Sequence, residues 1–257
     1  MLFPRQYHYF WPMTAIRLDK FLLNRGFFRS REKAAEAIRQ CRVLVNGKVI
    51  SKPSFPVLEN DEININNSET AYVSKGGYKL EKAIREFSID FTGKTVLDAG
   101  ASTGGFTDCA LQHGASLVVA VDVGTGQLDA TLCRHPQVTN LEKTDIRELT
   151  VDLLPIPAFD IIVADLSFIS LEKVLQPLIR FCKPGGEMIL LVKPQFEQEE
   201  RKNLKKGIVK DEAMRKKALD KTILLIQHLV PATIAFTETD VHNPSEKNIE
   251  YLLYLKI

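Results

Sequence analysis

The chain has 257 residues, 45% hydrophobic and 26% charged, with 34 Lys and Arg against 32 Asp and Glu for a formal net charge of +2. This is the composition of an ordinary globular protein, long enough for one large core or for a small domain joined to a larger one. The total charge gives no ground for inferring a nucleic-acid partner, and no apolar run approaches the roughly 18 to 20 residues of a membrane span.

The distribution of charge says more. Residues 13–65 hold ten Lys and Arg against six Asp and Glu, so the positive charge is concentrated towards the N-terminus. Cys41, Cys109, Cys133 and Cys182 are scattered, with no C-x-x-C pair, which predicts reduced thiols in the cytoplasm and no structural metal site. The opening MLFPRQYHYFWP carries Arg5, Gln6 and His8 where a signal peptide needs an unbroken apolar stretch. Residues 1–13 are expected to be an unstructured extension, with Met13 as an alternative start.

Residues 14–66 read as a small α+β module. Thr14 caps an expected helix over Ala15 to Asn24 that Gly26 stops, and Ser30 caps a second over Lys33 to Gln40. VLVNGKVI then gives two alternating strands around Asn46-Gly47, the dipeptide favoured where both central turn residues need positive φ. A strand near Asp61 to Ile65 closes the module. Basic residues on two short helices beside a small sheet suit RNA phosphates, or else form a solvated face; charge alone does not separate the two.

The run RLDKFLLNRGFFRSREKAAEAIRQCRVLVNGKVISKPSFPV resembles the RNA-binding domain first described in small-subunit ribosomal protein S-four. That resemblance implies that Arg17, Arg29, Arg31, Arg39 and Lys48 face RNA. Polar, turn-rich residues follow, and 67–74 is expected to be a linker.

From residue 75 the pattern becomes alternating strands and helices. Strands are expected over Thr95 to Asp98, Leu117 to Asp122, Val138 to Leu141, Phe159 to Ala164, Glu187 to Val192, Thr233 to Thr239 and Ile249 to Leu255. Helices are expected near Lys79 to Glu86, Phe106 to His113, Leu128 to Arg134, Leu171 to Cys182 and Asp211 to Leu229. This predicts a mostly parallel sheet with helices on both faces, ending in an antiparallel pair.

VLDAGASTGGFTD, Val96 to Asp108, joins the first of these strands to a helix. A dinucleotide turn needs glycine where Ser102 stands, and no Gly-Lys-Ser/Thr follows as a P-loop requires. What remains is D-x-G-x-x-x-G-G with Asp98 at the strand end. A carboxylate there repels pyrophosphate but can hold an ammonium group, such as that of S-adenosylmethionine.

VLDAGASTGGFTD followed by VVAVDVG resembles the first two motifs of the class I methyltransferases, a Rossmann-like fold with a seven-stranded sheet. The resemblance implies that Gly100, Ser102, Thr103, Gly104, Gly105 and Phe106 lie along the cofactor and that Asp122 accepts hydrogen bonds from its ribose. For Asp145 two readings stand: a residue near the adenine, or a helix N-cap with Glu148 completing a capping box.

Methyl transfer to oxygen needs a base and an aligned acceptor. Asp165 and Lys193 each follow an apolar run, so both should emerge at the carboxyl edge of a parallel sheet and face one another. Pro194 ends the second of these strands. Phe168 and Phe196, beside them, suit either the core or stacking on a flipped base.

With Lys79 in SKGGYKL and Glu250 in N-I-E-Y, these residues resemble the K-D-K-E tetrad of ribose 2′-O-methyltransferases related to the heat-shock protein FtsJ. The whole chain from Arg17 onward resembles the TlyA family, ribosomal RNA cytidine 2′-O-methyltransferases historically labelled hemolysins; Lys247 departs from the glycine that many relatives carry. The resemblance implies S-adenosylmethionine as cofactor, ribosomal RNA or a ribosomal subunit as partner, no metal and no membrane. It implies Lys193 as base, oriented by Asp165, with Lys79 positioning the ribose or stabilising the oxyanion and Glu250 holding the lysines or the acceptor. Arg201, Lys202, Lys205 and Lys206 form a basic stretch after Lys193 that suits RNA backbone or plain solvation. The alternatives are a membrane-active hemolysin, a pseudouridine synthase, which would need a second R-L-D motif, and a non-catalytic RNA-binding protein on a methyltransferase fold.

Overall fold

The computed structural model describes residues 15–28, 30–39, 42–65, 72–198, 207–239 and 248–257. The chain divides into two compact units, 1–71 and 72–257. The N-terminal extension, Thr14, Arg29 and the basic stretch 201–206 lie outside the described residues.

In the smaller unit, strand β1 (Ile16–Arg17) leads directly into helix α1 (Leu18–Asn24), and helix α2 (Arg31–Arg39) follows. The helix expected from Ala15 therefore starts three residues later. Ile16 and Arg17 pair instead with β4 (Pro56–Val57), and Leu18 donates its N–H to the Phe55 carbonyl at 2.8 Å. The hairpin of β2 (Val43–Val45) and β3 (Lys48–Ile50) turns on Asn46 at φ 51° and Gly47 at φ 75°, and β5 (Ile63–Ile65) pairs with the other side of β2. Leu18, Leu22, Ala34, Ile38, Val43 and Val57 form its core.

The larger unit opens with helix α3 (Lys75–Phe87), whose Leu80 and Ala83 are buried; Tyr72, ahead of it, packs into the same core. The chain continues through β6 (Thr95–Ala99), α4 (Gly105–Gln112), β7 (Leu117–Val121), α5 (Ala130–Cys133) and β8 (Val138–Leu141). It then returns through β9 (Phe159–Ala164), α6 (Leu175–Arg180), β10 (Cys182–Val192), α7 (Pro194–Glu197), α8 (Glu212–Leu229), β11 (Thr233–Glu238) and β12 (Tyr251–Lys256). The seven strands lie in the order β11-β12-β10-β9-β6-β7-β8. The β10-β9, β9-β6, β6-β7 and β7-β8 pairs are parallel, and β12 runs antiparallel to both neighbours, the mixed ending expected from two terminal strands with little between them.

One expected helix is broken. Over Leu171 to Cys182 the chain makes a single 3₁₀ turn at Leu171–Lys173 and restarts as α6. Pro177 lacks the N–H that would bond the Lys173 carbonyl, and its ring clashes there.

Successive strand residues face opposite sides of the sheet. Leu97, Val119, Ile162 and Leu190 pack under α6 and α8, whereas Val96, Val118, Ile161 and Ile189 pack under α3 and α4. Asp98 shares the parity of Val96, so it is driven under α4 among apolar side chains. The strand order reverses between β6 and β9, and the crevice beyond their carboxyl ends is where an open α/β sheet binds ligands. Among the described residues no helix is long and apolar enough to cross a membrane.

Candidate active site

The glycine turn after β6 is shaped by two close approaches. Gly100 has φ +84°, and a Cβ there would stand 3.0 Å from the carbonyl oxygen of Asp165. A Cβ on Gly105 would overlap Ser74 Oγ and lie 2.8 Å from the Gly77 nitrogen, so the first turns of α3 and α4 touch only because both are glycine-rich. A small cavity of about 190 Å³ opens beside this contact, lined by Ser74, Asp98, Thr103, Gly105, Phe106 and Lys193 among others.

Asp98 is fully buried. Its Oδ2 accepts a 2.6 Å hydrogen bond from Thr107 Oγ1, while Oδ1 has no hydrogen-bond partner in the protein. Burial pushes the carboxyl up to about 7, against the Thr107 bond, which favours the charged form, and the charges of Asp165 and Asp122 push the same way as burial. A buried, unpartnered carboxylate oxygen on a cavity is a place for a cation. The amides opening α4 beside it favour an anion. An α-amino acid end carries both charges, so these residues fit the methionine part of S-adenosylmethionine.

The neighbouring cavity, about 890 Å³, is lined by Gly100, Asp122, Val123, Asp145, Ile146 and Phe168 among others. Asp122, just past β7, accepts the Ser102 N–H at 2.8 Å and the Gly124 N–H at 2.7 Å, which braces the glycine turn against the next strand. Asp145 does not cap a helix. Its carboxylate accepts the Arg147 N–H at 2.9 Å and the Arg147 guanidinium at 2.5 Å, and residues 146–148 form a turn, so the capping-box reading fails. The Arg147 guanidinium holds the Asp145 carboxyl below its ordinary value in spite of partial burial.

At the edge between β9 and β10 four charged side chains meet. Asp165 and Lys193 face one another as their positions at two strand ends require, Lys193 Nζ lying 2.5 Å from Asp165 Oδ1. Lys79, one turn into α3, stands 2.7 Å from Glu250 Oε2 and 3.7 Å from Asp165 Oδ2. Glu250 precedes β12, and its carbonyl accepts the Thr239 N–H at 2.8 Å. The Asp165 carboxylate thus lies between the two lysines, and Glu250 belongs to Lys79. Burial works to lower the pKa of Lys79, but the charges of Asp165 and Glu250 and their hydrogen bonds outweigh it and hold the ammonium above the ordinary lysine value.

Two groups at this edge carry no sequence signal. Ser167 Oγ accepts a 2.8 Å hydrogen bond from Lys193 Nζ. Glu197 accepts the Ser170 hydroxyl at 2.5 Å and the Leu171 N–H at 2.9 Å, tying the loop after β9 to helix α7 after β10. Between them Phe168 holds φ +67° and is 84% exposed, its ring centroid 5.3 Å from that of Phe196. A bulky residue in the left-handed region costs about 1–3 kcal/mol and persists where its surroundings dictate it.

In the smaller unit the guanidinium groups of Arg17 and Arg31 converge on Asp19, at 2.8 and 2.9 Å from Oδ2. Asp19 is buried while both arginines are half exposed. The Arg17 bond, against burial and helped by Arg31, holds its carboxyl down at about 2. Arg39 ends α2 and Lys48 opens β3, both exposed. Arg29 lies outside the described residues.

The sequence model of the FtsJ-like methyltransferases matches residues 72–256, and that of the S4 domain matches residues 16–63. The chain is 39% identical to the 16S/23S rRNA (cytidine-2′-O)-methyltransferase TlyA of Mycobacterium tuberculosis over 93% of this chain and 89% of that one. It is 35% identical to Hemolysin A of Brachyspira hyodysenteriae over 94% and 100%. A solved structure from Streptococcus thermophilus, provisionally named a hemolysin, superposes with a TM-score of 0.70 at 33% identity, covering 95% of this chain and 89% of that one. The seven-stranded sheet with its reversed β12, the glycine turn at its switch point and the likeness across both units lead to one assignment: the chain belongs to the TlyA family of FtsJ-like methyltransferases.

Proposed function

We propose that the protein transfers a methyl group from S-adenosylmethionine to the 2′-hydroxyl of a ribose in ribosomal RNA, at a cytidine, in the cytoplasm. The observation that carries this reading is the arrangement of Lys79, Asp165, Lys193 and Glu250 at the sheet edge beside the two cavities. Bound S-adenosylmethionine supplies an electrophilic methyl group on a sulfonium centre. Asp98 holds its ammonium, Gly100, Ser102, Thr103, Gly104, Gly105 and Phe106 line its path, and Asp122 and Asp145 serve its ribose and adenine.

Lys193 takes the proton of the 2′-hydroxyl at Nζ. A lysine does this only when it is neutral as the acceptor arrives, and Asp165 orients it and balances the charge it gains. Lys79, kept protonated by two carboxylates, stabilises the negative charge that grows on the 2′-oxygen. Phe168, exposed and fixed beside the acceptor cleft, offers a face on which an extruded base can stack. The S4 domain supplies RNA affinity through Arg17, Arg29, Arg31, Arg39 and Lys48.

The test is to treat ribosomal subunits from a strain lacking this gene with the purified protein and labelled S-adenosylmethionine, then analyse digested RNA by mass spectrometry. The expected product is a 2′-O-methylated cytidine. Label found on a base, or none incorporated, overturns the proposal. Red-cell lysis by the same preparation tests the membrane-active alternative.

A further inference from the structure

We infer that Ser167 is a positioning residue for methyl transfer, its hydroxyl fixing the rotamer of Lys193 so that the third direction on Nζ opens into the acceptor cleft. The inference rests on Lys193 being the base. A lysine side chain has four rotatable bonds, so one contact does not aim it. Asp165 cannot do so alone, because its carboxylate is shared with Lys79.

Ser167 provides the second fixed direction, 2.8 Å from Nζ. Nitrogen is tetrahedral, so once Asp165 and Ser167 take two directions around it, the remaining one is set. Lys193 is only 7% exposed and lines the smaller cavity, as Ser167 does, so that direction meets this cavity, which Ser167 joins to the larger one. The hydroxyl has a second use. When Lys193 has taken a proton, the ammonium is left with one carboxylate divided between two lysines; Ser167 Oγ gives it a further acceptor.

The place of Ser167 is itself built. Asp165 N–H is anchored on the Ala99 carbonyl at 3.2 Å, Phe168 takes a left-handed conformation immediately after Ser167, and Glu197 grips Ser170 and Leu171. The turn is therefore held at both ends, by the Ala99 carbonyl on one side and the Glu197 carboxylate on the other.

The test compares Ser167→Val, which has no hydroxyl, with Ser167→Thr, which has nearly the same shape and retains one. With Ser167→Val we expect kcat to fall roughly 10- to 100-fold, with KM for the ribosomal substrate, cofactor affinity and melting temperature as in the wild type. Ser167→Thr should recover most of the loss. Wild-type kcat in the valine variant overturns the inference, and so does a loss expressed in cofactor affinity or melting temperature. Lys193→Ala is measured alongside: turnover in that variant removes the base assignment itself, whereas an inactive Lys193→Ala beside a fully active Ser167→Val removes only the role of Ser167.

Discussion

Lys193 Nζ lies 2.5 Å from Asp165 Oδ1, although 28 positions separate them in the chain, because each is the first residue past its own strand of one parallel pair. Lys193→Ala removes the proposed base and leaves Asp165 its contact with Lys79. Methyl transfer should fall by roughly 10²- to 10⁴-fold, the usual worth of a general base. Cofactor affinity, measured by calorimetry, should change little, since Lys193 lines only the edge of the smaller cavity while Asp98, Asp122 and Asp145, proposed to hold the cofactor's charged and polar groups, are untouched. Turnover near the wild-type rate would reject Lys193 as the base.

Lys79 has the opposite role, and its protonation depends on Glu250. Its pKa is raised, so its charge survives to higher pH than an ordinary lysine's. If that charge stabilises the oxyanion, activity declines on the alkaline side as Lys79 loses its proton. Glu250→Gln removes one of the two carboxylates that hold it, which moves the alkaline limb of kcat to lower pH. A limb that stays in place after the substitution would separate Lys79 from the oxyanion.

Asp98 is a trade of stability against binding. A carboxyl that titrates near 3.8 in the unfolded chain and at about 7 when folded contributes stability that is present below pH 4 and lost as pH rises through 7. Asp98→Asn should therefore raise the melting temperature of the ligand-free protein at pH 8 and flatten its pH dependence. The same variant should bind S-adenosylmethionine roughly 10- to 100-fold more weakly, the worth of a hydrogen bond to a charged group. Equal affinity in both proteins would place the ammonium elsewhere.

What could be read from the sequence follows from period and strand ends. Apolar runs of strand length located six of the seven sheet strands to within about two residues, inside the usual boundary error, and β10 runs longer only at its start, where the register shifts between Cys182 and Glu187. Topology alone brings Asp165 and Lys193 together. β1 and β4, with two residues each, are too short to show any period. Ser167 sits in a loop and Glu197 ends the single-turn helix α7, too short to show a period, so a hydroxyl or carboxylate there gives no pattern to distinguish it from a solvated one. The Lys79-Glu250 pair closes across 171 positions and depends on α3 lying over β12, a matter of packing.

That packing can be tested at Gly105. Gly105→Ala puts a methyl group against Ser74 and the Gly77 backbone. Overpacking of this kind costs typically about 1–3 kcal/mol, and because the clash is with backbone it is relieved by moving α3 away from α4. Lys79 rides on α3, so kcat should drop together with the melting temperature. An alanine variant with wild-type melting and turnover would show that the two helices have slack the structure does not display.

In the S4 domain the placement of Arg17 and Arg31 depends on one carboxylate. Asp19 is buried, and with its carboxyl held at about 2 it contributes stability present above pH 4 and lost as pH falls towards 2. Asp19→Asn leaves Arg17 and Arg31 facing each other without a counter-charge. Both arginines are half exposed, so water takes over part of what Asp19 supplied; the loss is that of hydrogen bonds to a charged group, about 1.5–3 kcal/mol, and the amides of this unit should lose protection from hydrogen exchange while those of β6 and β9 keep theirs. Arg31→Ala and Lys48→Ala bear on binding itself. If each side chain meets one phosphate, each substitution should weaken RNA binding across sequences and reduce the salt dependence by about one unit of slope. An unchanged slope for Lys48→Ala would take the hairpin out of the RNA-binding face and leave that role to the arginines gathered around Asp19.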